Sequence, residues 1–272
     1  MNHHDFWNEI SSIIGEGFTD QGLAKLEYYA ELFINQRIVY KRFSPFEQHG
    51  CTTGGSANVV ATLLAGADVA ANIGVSKPLS IKEERQRAAT QESIIEAWAK
   101  KVNCWYNDID ILFPQHFGSQ IAEGGEAHVY QHGFNLIKTI GLDYYLQPVL
   151  ALDRIALHNA FFPETKLTVV GFGRMHNGDF QVIAEQNHIQ GSQMTDEEIA
   201  VFAQKMGFKS VNPKNWTFAT PEIYLSDLHD ENVIRSISGN IFVIDCDIRI
   251  NTPDLKCGGI RTISAEICWH PK

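Results

Sequence analysis

The sequence predicts an α+β protein in which a helical N-terminal segment, residues 1–110, precedes an antiparallel-sheet domain, residues 111–272. Apolar residues recur at helical spacing near the N-terminus, for example at Phe6 and Ile10. From about residue 108 the segments become short, bounded by turns and rich in Ile, Val, Phe and Tyr, which is typical of strands. Asn177-Gly178 lies between two apolar runs, and this dipeptide is the strongest short signal for a β-hairpin.

The helical segment is expected to contain a second block, Lys82 to Val102, with an apolar face that includes Ile95 and Trp98. Before it, residues 58–64 look like a buried helix that follows a Gly-Gly-Ser turn. The other predicted elements, in chain order, are a strand ending near Glu123, strands at Ala127–Tyr130 and Phe134–Ile140, a helix at Tyr144–Asn159, strands at Lys166–Phe172 and Phe180–Glu185, a helix from the N-cap Thr195 to about Met206, and strands at Glu222–Leu225, Val233–Ile237 and Asn240–Ile244.

The charge balance and the cysteines limit the classes of partner and the compartment. The chain has 22 basic and 32 acidic side chains, a formal net charge of -10, and no basic run that would attract nucleic acid or an anionic membrane. It has no apolar stretch of the roughly 20 residues that cross a bilayer, and its N-terminus lacks the features of a signal peptide. The five cysteines are scattered and form no C-x-x-C pair. We therefore expect a cytoplasmic protein with no membrane partner and no direct signal for nucleic acid.

The residues with the clearest chemical pattern lie in the last part of the chain. Asp227 and Asn232 bracket a short loop, and Asp245 and Asp247 follow the apolar run Ile241–Ile244. Phosphoryl transfer from ATP needs metal ions on the phosphates and a carboxylate that accepts the proton of the acceptor. We predict that Asp227 is this base and that Asn232, Asp245 and Asp247 supply the oxygen ligands that Mg²⁺ prefers. A carboxylate at the mouth of an apolar strand is costly without a cation, so Asp245→Asn is expected to leave the apo protein equally or more stable.

Lys138 is the candidate for holding the phosphates of a nucleotide. It follows Leu136 and Ile137 in a predicted strand, and a lysine that points into a protein needs a counter-ion or a phosphate. The alternative is an outward-facing lysine on an edge strand. Asp227 and Asn232 are, taken singly, also typical turn residues. It is the order of all these residues, each beside an apolar strand, that predicts a site.

This order resembles that of the protein kinases over roughly residues 118–250. Asp227-Leu-His-Asp-Glu-Asn232 is similar to their catalytic loop, and Asp245 is similar to the Asp of their D-F-G motif. Leu136-Ile137-Lys138 is similar to the strand that carries their phosphate-binding lysine. The resemblance implies that Asp227 and Lys138 are catalytic and that Asn232 and Asp245 bind metal.

The same resemblance implies further contacts with the nucleotide. Gly124-Gly-Glu-Ala-His-Val129 is similar to the end of the kinase Gly-rich loop. The segment 185–187 stands where kinases place the hinge, whose backbone bonds the adenine edge, and Asp153 is the acidic residue expected to pair with Lys138. The cofactor-binding residues implied in this way are Gly124, Gly125, Val129, Lys138, Asp153, Glu185 and Asn187.

The sequence departs from the kinase pattern at several positions. Leu225 and Ser226 stand where kinases have the His and Arg of their catalytic loop, and Cys246 and Asp247 replace the Phe and Gly of D-F-G. Only about 25 residues follow Asp245. The expected fold is therefore protein-kinase-like α+β, with a helical N-terminal segment, a five-stranded antiparallel-sheet nucleotide lobe and a reduced C-terminal lobe.

More narrowly, the chain resembles the kinase domain of polyvalent proteins, which occur on bacterial mobile elements. This likeness implies an ATP-dependent phosphotransferase that uses Mg²⁺, with a nucleotide and an acceptor of unknown identity as partners. The phrases that carry it are Gln48-His-Gly-Cys-Thr-Thr-Gly-Gly, Gly-Glu-Ala-His-Val-Tyr130, Leu152-Asp-Arg-Ile-Ala-Leu-His-Asn-Ala-Phe-Phe-Pro-Glu-Thr165, Asp227-Leu-His-Asp-Glu-Asn-Val233 and Ile244-Asp-Cys-Asp-Ile248.

Two other functions stay open at the level of the sequence. The first is a catalytically inactive nucleotide-binding or scaffolding module. The second is an HD-type metal phosphohydrolase, in which His229 and Asp230 would bind metal. That alternative requires helices around the pair and further histidines, such as His176 and His188.

Overall fold

The computed structural model describes residues 3–28 and 80–250, apart from residues 27, 126, 144, 213–215 and 222. The predicted helix at residues 58–64 and the Gly-Gly-Ser turn before it lie outside the described residues. The chain divides into two units. Of the described residues, the first unit contains those up to Asp153 and Thr168–Gln186, and the second contains Arg154–Leu167 and those from Asn187 onward. The predicted domains, residues 1–110 and 111–272, stay a prediction.

The first unit begins with two helices that the sequence predicts. Helix α1 spans His3–Gly15 and buries Ile10 and Ile13. Helix α2 spans Ile81–Lys101, within one residue of the prediction at each end. It begins at a capping box in which the Ser80 hydroxyl accepts from the Glu83 backbone N–H and the Glu83 carboxylate accepts from the Ser80 backbone N–H.

Helix α3, Ile109–Phe117, is a correction to the sequence-based prediction, which expects strands from about residue 108. Its apolar residues lie at helical spacing, and Ile109 and Phe113 are buried. The ring of Phe113 packs edge to face against Tyr130, with centroids 5.7 Å apart. Ile and Phe residues, which generally favour strands, here form the apolar face of a helix that packs against the sheet.

The sheet of the first unit has six strands in the order β1-β5-β6-β4-β3-β2. The expectation of five is therefore wrong by one, because the two-residue strand β1 pairs parallel to β5 at one edge. The predicted Asn177-Gly178 turn joins β5 to β6, which pair antiparallel. The strands are β1 Trp105–Tyr106, β2 Gln120–Glu123, β3 Ala127–His132, β4 Asn135–Gly141, β5 Thr168–Arg174 and β6 Phe180–Asn187.

Helix α4, Pro148–Phe161, begins four residues later than the predicted start at Tyr144. Leu146 has a left-handed backbone, φ 61°, which no right-handed helix contains. Pro148 then occupies the first helical position, where its missing N–H has no helical partner to lose. The division between the two units falls inside this helix, after Asp153.

The second unit contains helix α5, Asp196–Lys205, and two small sheets. Helix α5 begins at the predicted capping box, formed by Thr195 and Glu198. Strands β13-β10-β9-β8 form one sheet and β12-β11-β7 form the other. The strands are β7 Gly191–Gln193, β8 Lys209–Asn212, β9 Thr217–Ala219, β10 Ile223–Ser226, β11 Val233–Ser236, β12 Ile241–Val243 and β13 Asp247–Ile250.

The mixed helices and sheets agree with the predicted α+β class. None of the helices in the described part of the chain has the length and apolar character needed to cross a membrane.

Candidate functional site

The loop between β10 and β11 carries the predicted base and one predicted metal ligand. Asp227 has a left-handed backbone, φ 61°, which Asp tolerates better than most residues do. The side-chain amide nitrogen of Asn232 donates to the Asp227 backbone oxygen at 2.9 Å and to its Oδ2 at 3.2 Å. Asp227 and Asn232 are therefore held together across the loop.

Apolar residues hold this loop in place while Asp227 stays exposed. Leu225, Leu228 and Val233 have no solvent exposure, whereas 56% of the Asp227 side chain is exposed. The Leu228 backbone N–H also donates to the backbone oxygen of Trp216 at 3.3 Å. The alternation of buried and exposed residues presents the carboxylate outward from a fixed backbone.

His229 lies between the two predicted site residues. Its Nε2 is 3.0 Å from the amide nitrogen of Asn232 and 3.4 Å from Oδ1 of Asp227. Its ring packs against Trp216, with centroids 5.3 Å apart. The indole N–H of Trp216 donates to Asp196 at 3.0 Å. In the sequence, His229 stands out only as a metal ligand of the HD-type alternative, and no local pattern indicates these contacts.

The segment that carries Asp245 is bonded directly to the same loop. Strands β11 and β12 pair with Val233 opposite Val243. Just beyond this pair, the Ile244 backbone N–H donates to the Asn232 backbone oxygen at 2.9 Å. Asn232 is thus bonded to Asp227 through its side chain and to the residue before Asp245 through its backbone.

Asp245 is held by Arg154, which the sequence analysis does not identify. Arg154 Nη2 donates to Asp245 Oδ1 at 2.5 Å, and Arg154 Nε donates to the Cys246 backbone oxygen at 2.9 Å. The Arg154 side chain is 9% exposed and that of Asp245 is 32% exposed. The signal for Arg154 is a basic residue in a helix that is apolar over most of its length, because a buried guanidinium needs a partner.

Asp247 has partners for both carboxylate oxygens. Arg249 contacts both of them, Nε at 3.1 Å from Oδ1 and Nη2 at 2.6 Å from Oδ2. The Ser226 hydroxyl donates to Oδ2 at 3.1 Å across the β10–β13 pair. Asp247 is thus already engaged in an ion pair, in contrast with the exposed Asp227.

Cys246, at the D-F-G Phe position, supports the segment from inside. Burial raises the pKa of its thiol well above the usual range, so it stays protonated. Its sulfur lies 3.8 Å from His158 Nδ1, and His158 Nε2 lies 3.1 Å from the Thr165 backbone oxygen. The Thr165 hydroxyl in turn donates to the Val243 backbone oxygen at 2.5 Å. These residues fix the backbone on which Asp245 lies.

Lys138 belongs to the first unit and is buried, with 5% exposure. It lies on β4, an interior strand of the six-stranded sheet, opposite Val129 of β3. The alternative of an outward-facing lysine on an edge strand is therefore wrong. Asp153 is also in this unit and also buried, with 6% exposure. The unit thus buries one predicted cation and its predicted acidic partner.

The remaining predicted nucleotide contacts lie along the sheet of the first unit. The Gly124-Gly125 turn is exposed, and the Gly124 backbone N–H donates to the Ala127 backbone oxygen at 2.9 Å. Glu185 accepts a hydrogen bond from Asn135 Nδ2 at 2.8 Å. By the alternation of β4, Asn135 is not on the Lys138 face, so the Glu185 side chain shares the opposite face. Any contact of residue 185 with a nucleotide on the Lys138 face would involve its backbone.

No group of three or more His, Cys, Asp or Glu side chains arranged to hold a metal ion occurs among the residues that the structure describes. The pair His229-Asp230 is flanked by strands β10 and β11, where the HD-type alternative requires helices. His176 bonds instead to Asp108 in the first unit, Nδ1 to Oδ1 at 3.0 Å. The described geometry therefore gives the HD-type alternative no support.

The Asp–Asn loop between β10 and β11 is thus bonded to a following segment that carries a second Asp, which is the order of residues in which the sequence resembles the protein kinases. The model of a family described as "Serine/Threonine/Tyrosine Kinase found in polyvalent proteins" matches residues 88–252, and the chain belongs to this family. Comparison with curated proteins and with solved structures gave no match.

Proposed function

We propose that this chain is an ATP-dependent phosphotransferase of the kinase type. Asp227 accepts the proton of the acceptor group, and Asn232 and Asp245 are ligands of Mg²⁺. Lys138 holds the phosphates of the nucleotide. Membership of the kinase family supports the reaction class, and the roles of individual residues are part of the proposal.

One observation carries the proposal: Asn232 is bonded to the proposed base and to the residue that precedes the proposed metal ligand Asp245. Its side chain bonds Asp227, and its backbone oxygen accepts from Ile244, next to Asp245. These bonds fix the positions of the base Asp227 and of the segment that carries Asp245 relative to Asn232. The loop therefore does not have to become ordered when a nucleotide binds. This preorganisation is what phosphoryl transfer asks of a protein, since its catalysis depends on positioning and electrostatics.

The donor set fits a small hard cation. Asp245 offers a carboxylate and Asn232 an amide oxygen, and Mg²⁺ prefers oxygen ligands from few protein residues, with phosphates and waters completing the shell. When bound, Mg²⁺ would neutralise negative charge on the phosphates. Asp247 remains a proposed ligand, although an ion pair with Arg249 competes for its oxygens.

All but one of the proposed nucleotide contacts lie in the first unit, and Asn187, the last residue of β6, belongs to the second. A buried lysine in an apolar sheet is stabilised by an anion, and Lys138 is therefore assigned to the phosphates with Asp153 as its acidic partner. Backbone N–H groups of a glycine turn suit phosphate oxygens. The other proposed contacts are Gly124, Gly125, Val129, the backbone of Glu185, and Asn187.

The family description names serine, threonine and tyrosine kinases, so we propose a hydroxyl side chain as the acceptor. We also propose a cytoplasmic setting and an origin in a polyvalent protein of a bacterial mobile element. The helical segment, residues 1–110, and the kinase-like domain, residues 111–272, are the proposed domains.

The test is transfer or hydrolysis of labelled ATP with Mg²⁺ by Asp227→Asn. Asn tolerates the left-handed backbone at this position, φ 61°, whereas Ala there costs about 1–2 kcal/mol. Loss of the base should reduce turnover by roughly 100-fold or more. The control is Glu231→Gln, which removes one charge from the same exposed loop and should leave turnover unchanged. Equal turnover by Asp227→Asn and wild type contradicts the proposed base.

A catalytically inactive nucleotide-binding module is the second candidate. The Arg154–Asp245 ion pair favours it, because a guanidinium already neutralises the proposed metal ligand. In that case ATP binds without turnover in the wild type and in both variants. Binding and turnover measured on the same samples separate the two candidates.

A further inference from the structure

The orientation of the Asn232 amide group is set by the chemistry of its neighbours. Its nitrogen lies 2.9 Å from the Asp227 backbone oxygen and 3.2 Å from Asp227 Oδ2. Both of these atoms only accept hydrogen bonds, so the atom that faces them must be the NH2 group. The amide oxygen of Asn232, on the other arm of the group, takes no part in these contacts.

A third neighbour of the same NH2 group is Nε2 of His229, at 3.0 Å. A proton on Nε2 would face the amide hydrogens at this distance, whereas a lone pair accepts from them. The proton of the ring therefore belongs on Nδ1. A carboxylate oxygen lies near each ring nitrogen, Asp230 Oδ1 at 3.6 Å from Nδ1 and Asp227 Oδ1 at 3.4 Å from Nε2, so it is the shorter contact with the Asn232 amide that decides the tautomer. The Glu231 backbone N–H is directed at both Nδ1, at 3.3 Å, and Asp230 Oδ1, at 3.1 Å; with the proton on Nδ1 it donates only to the closer carboxylate oxygen.

The ring of His229 is held on two sides. It packs at a tilt of 55° against the ring of Trp216, which is itself bonded to Asp196, and only 19% of the His229 side chain is exposed. A ring with a fixed orientation can select one orientation of a neighbouring amide. An exposed and mobile ring could not do this.

We propose that His229 is a positioning residue for the phosphoryl-transfer site. With its proton on Nδ1, it accepts from Asn232 through Nε2 and keeps the amide nitrogen toward Asp227. The amide oxygen of Asn232 is thereby left for Mg²⁺. The inference rests on the proposed function, because it assigns to His229 the orientation of a proposed metal ligand. It also names the chemistry required at position 229, namely a hydrogen-bond acceptor at the place of Nε2.

Two substitutions separate this role from simple packing. The side-chain oxygen of Gln reaches about as far from the backbone as Nε2, whereas that of Asn reaches only as far as Nδ1. We expect His229→Gln to retain the Mg²⁺-dependent part of the ATP affinity, measured by calorimetric titration with Mg²⁺ and with EDTA. We expect His229→Asn to weaken that part about fivefold, the effect of one hydrogen bond, with unchanged affinity in EDTA.

A second readout needs neither metal nor turnover. The ¹⁵N chemical shifts of the His229 ring in the apo protein, recorded at about pH 8, report which nitrogen carries the proton. We expect the proton on Nδ1 in the wild type. The Asn232 side-chain amide resonances should be similar in wild type and His229→Gln and should move in His229→Asn.

Some results would contradict only the role of His229, and one would also contradict the proposed metal ligand. A proton on Nε2, equal Mg²⁺ dependence in His229→Asn and wild type, or equal losses in both variants would each overturn the inference alone. Asn232→Ala is the separate control. If wild type and Asn232→Ala bind ATP with the same Mg²⁺ dependence, the assignment of Asn232 as a metal ligand fails and the inference fails with it.

Discussion

At the scale of single residues, the Arg154–Asp245 contact changes what the sequence predicts. Asp245 was expected to be an uncompensated carboxylate, so that Asp245→Asn would preserve or raise stability. The structure pairs it with a guanidinium that is only 9% exposed. Asp245→Asn therefore removes one negatively charged partner of a nearly buried cation and should destabilise the apo protein. The sequence indicates Asp245 by its position after an apolar strand, but it does not indicate a partner 91 positions away.

Arg154→Met should show that Arg154 and a divalent cation compete for Asp245. Met keeps much of the volume but removes the guanidinium that bonds the Asp245 carboxylate, which should lower the stability of the apo protein by about 2 kcal/mol. Added Mg²⁺ should then raise the melting temperature of the variant by more than that of the wild type.

The matched control is Arg235→Met, which removes an exposed pair with Glu198 and should cost less than about 1 kcal/mol. The measurement is thermal unfolding by circular dichroism, with and without Mg²⁺. A Mg²⁺-induced shift in Arg154→Met no larger than that of the wild type would contradict competition at Asp245.

At the scale of elements, the elements marked by turn and cap residues were predicted well. The Asn177-Gly178 hairpin and the Thr195–Glu198 capping box both occur where expected. Both signals are local, since the backbone conformation depends on the residues of the turn or cap themselves. Helix α3 was missed because Ile and Phe favour strands in general, while here tertiary packing on Tyr130 determines the element. The sixth strand, β1, was missed because two residues carry no periodicity.

Gly173→Ala should test how closely β1 approaches β5. A Cβ atom at Gly173 would lie 2.1 Å from the Tyr106 backbone oxygen, so one of the two strands must move. We expect a loss of about 1–3 kcal/mol in the free energy of unfolding, measured by urea denaturation. Gly124→Ala is the control, because the nearest atom to its added Cβ is 4.0 Å away and stability should change little. Equal stabilities for the two variants would contradict the close approach.

At the scale of the whole molecule, the predicted phosphate-binding residues and the predicted base and metal ligands belong to different units. Lys138, Asp153 and the glycine turn belong to the first unit, and Asp227, Asn232, Asp245 and Asp247 belong to the second. The order of motifs was readable from the sequence because each lies beside its own apolar strand. The division within helix α4 was not readable, since Leu152-Asp-Arg-Ile155 continues one apolar helix across it. A local pattern in the sequence carries information about its own element, and it carries none about where one unit ends and the next begins.

Substitutions of the proposed phosphate-binding lysine and of the proposed metal ligand should affect ATP binding differently. Lys138→Met removes a cation from the proposed phosphate contact and should weaken ATP binding about tenfold or more, both with Mg²⁺ and with EDTA. Asp245→Asn removes a proposed metal ligand and should weaken binding only when Mg²⁺ is present. Both are measured by calorimetric titration, after thermal unfolding has confirmed that each variant is folded at the temperature used. Lys209→Met, at an exposed position of β8, is the control and should bind ATP like the wild type.

Unchanged Mg²⁺ dependence in Asp245→Asn would mean that the metal ligand is a different residue. Unchanged affinity of Lys138→Met in EDTA would mean that the buried lysine serves only the stability of its own unit.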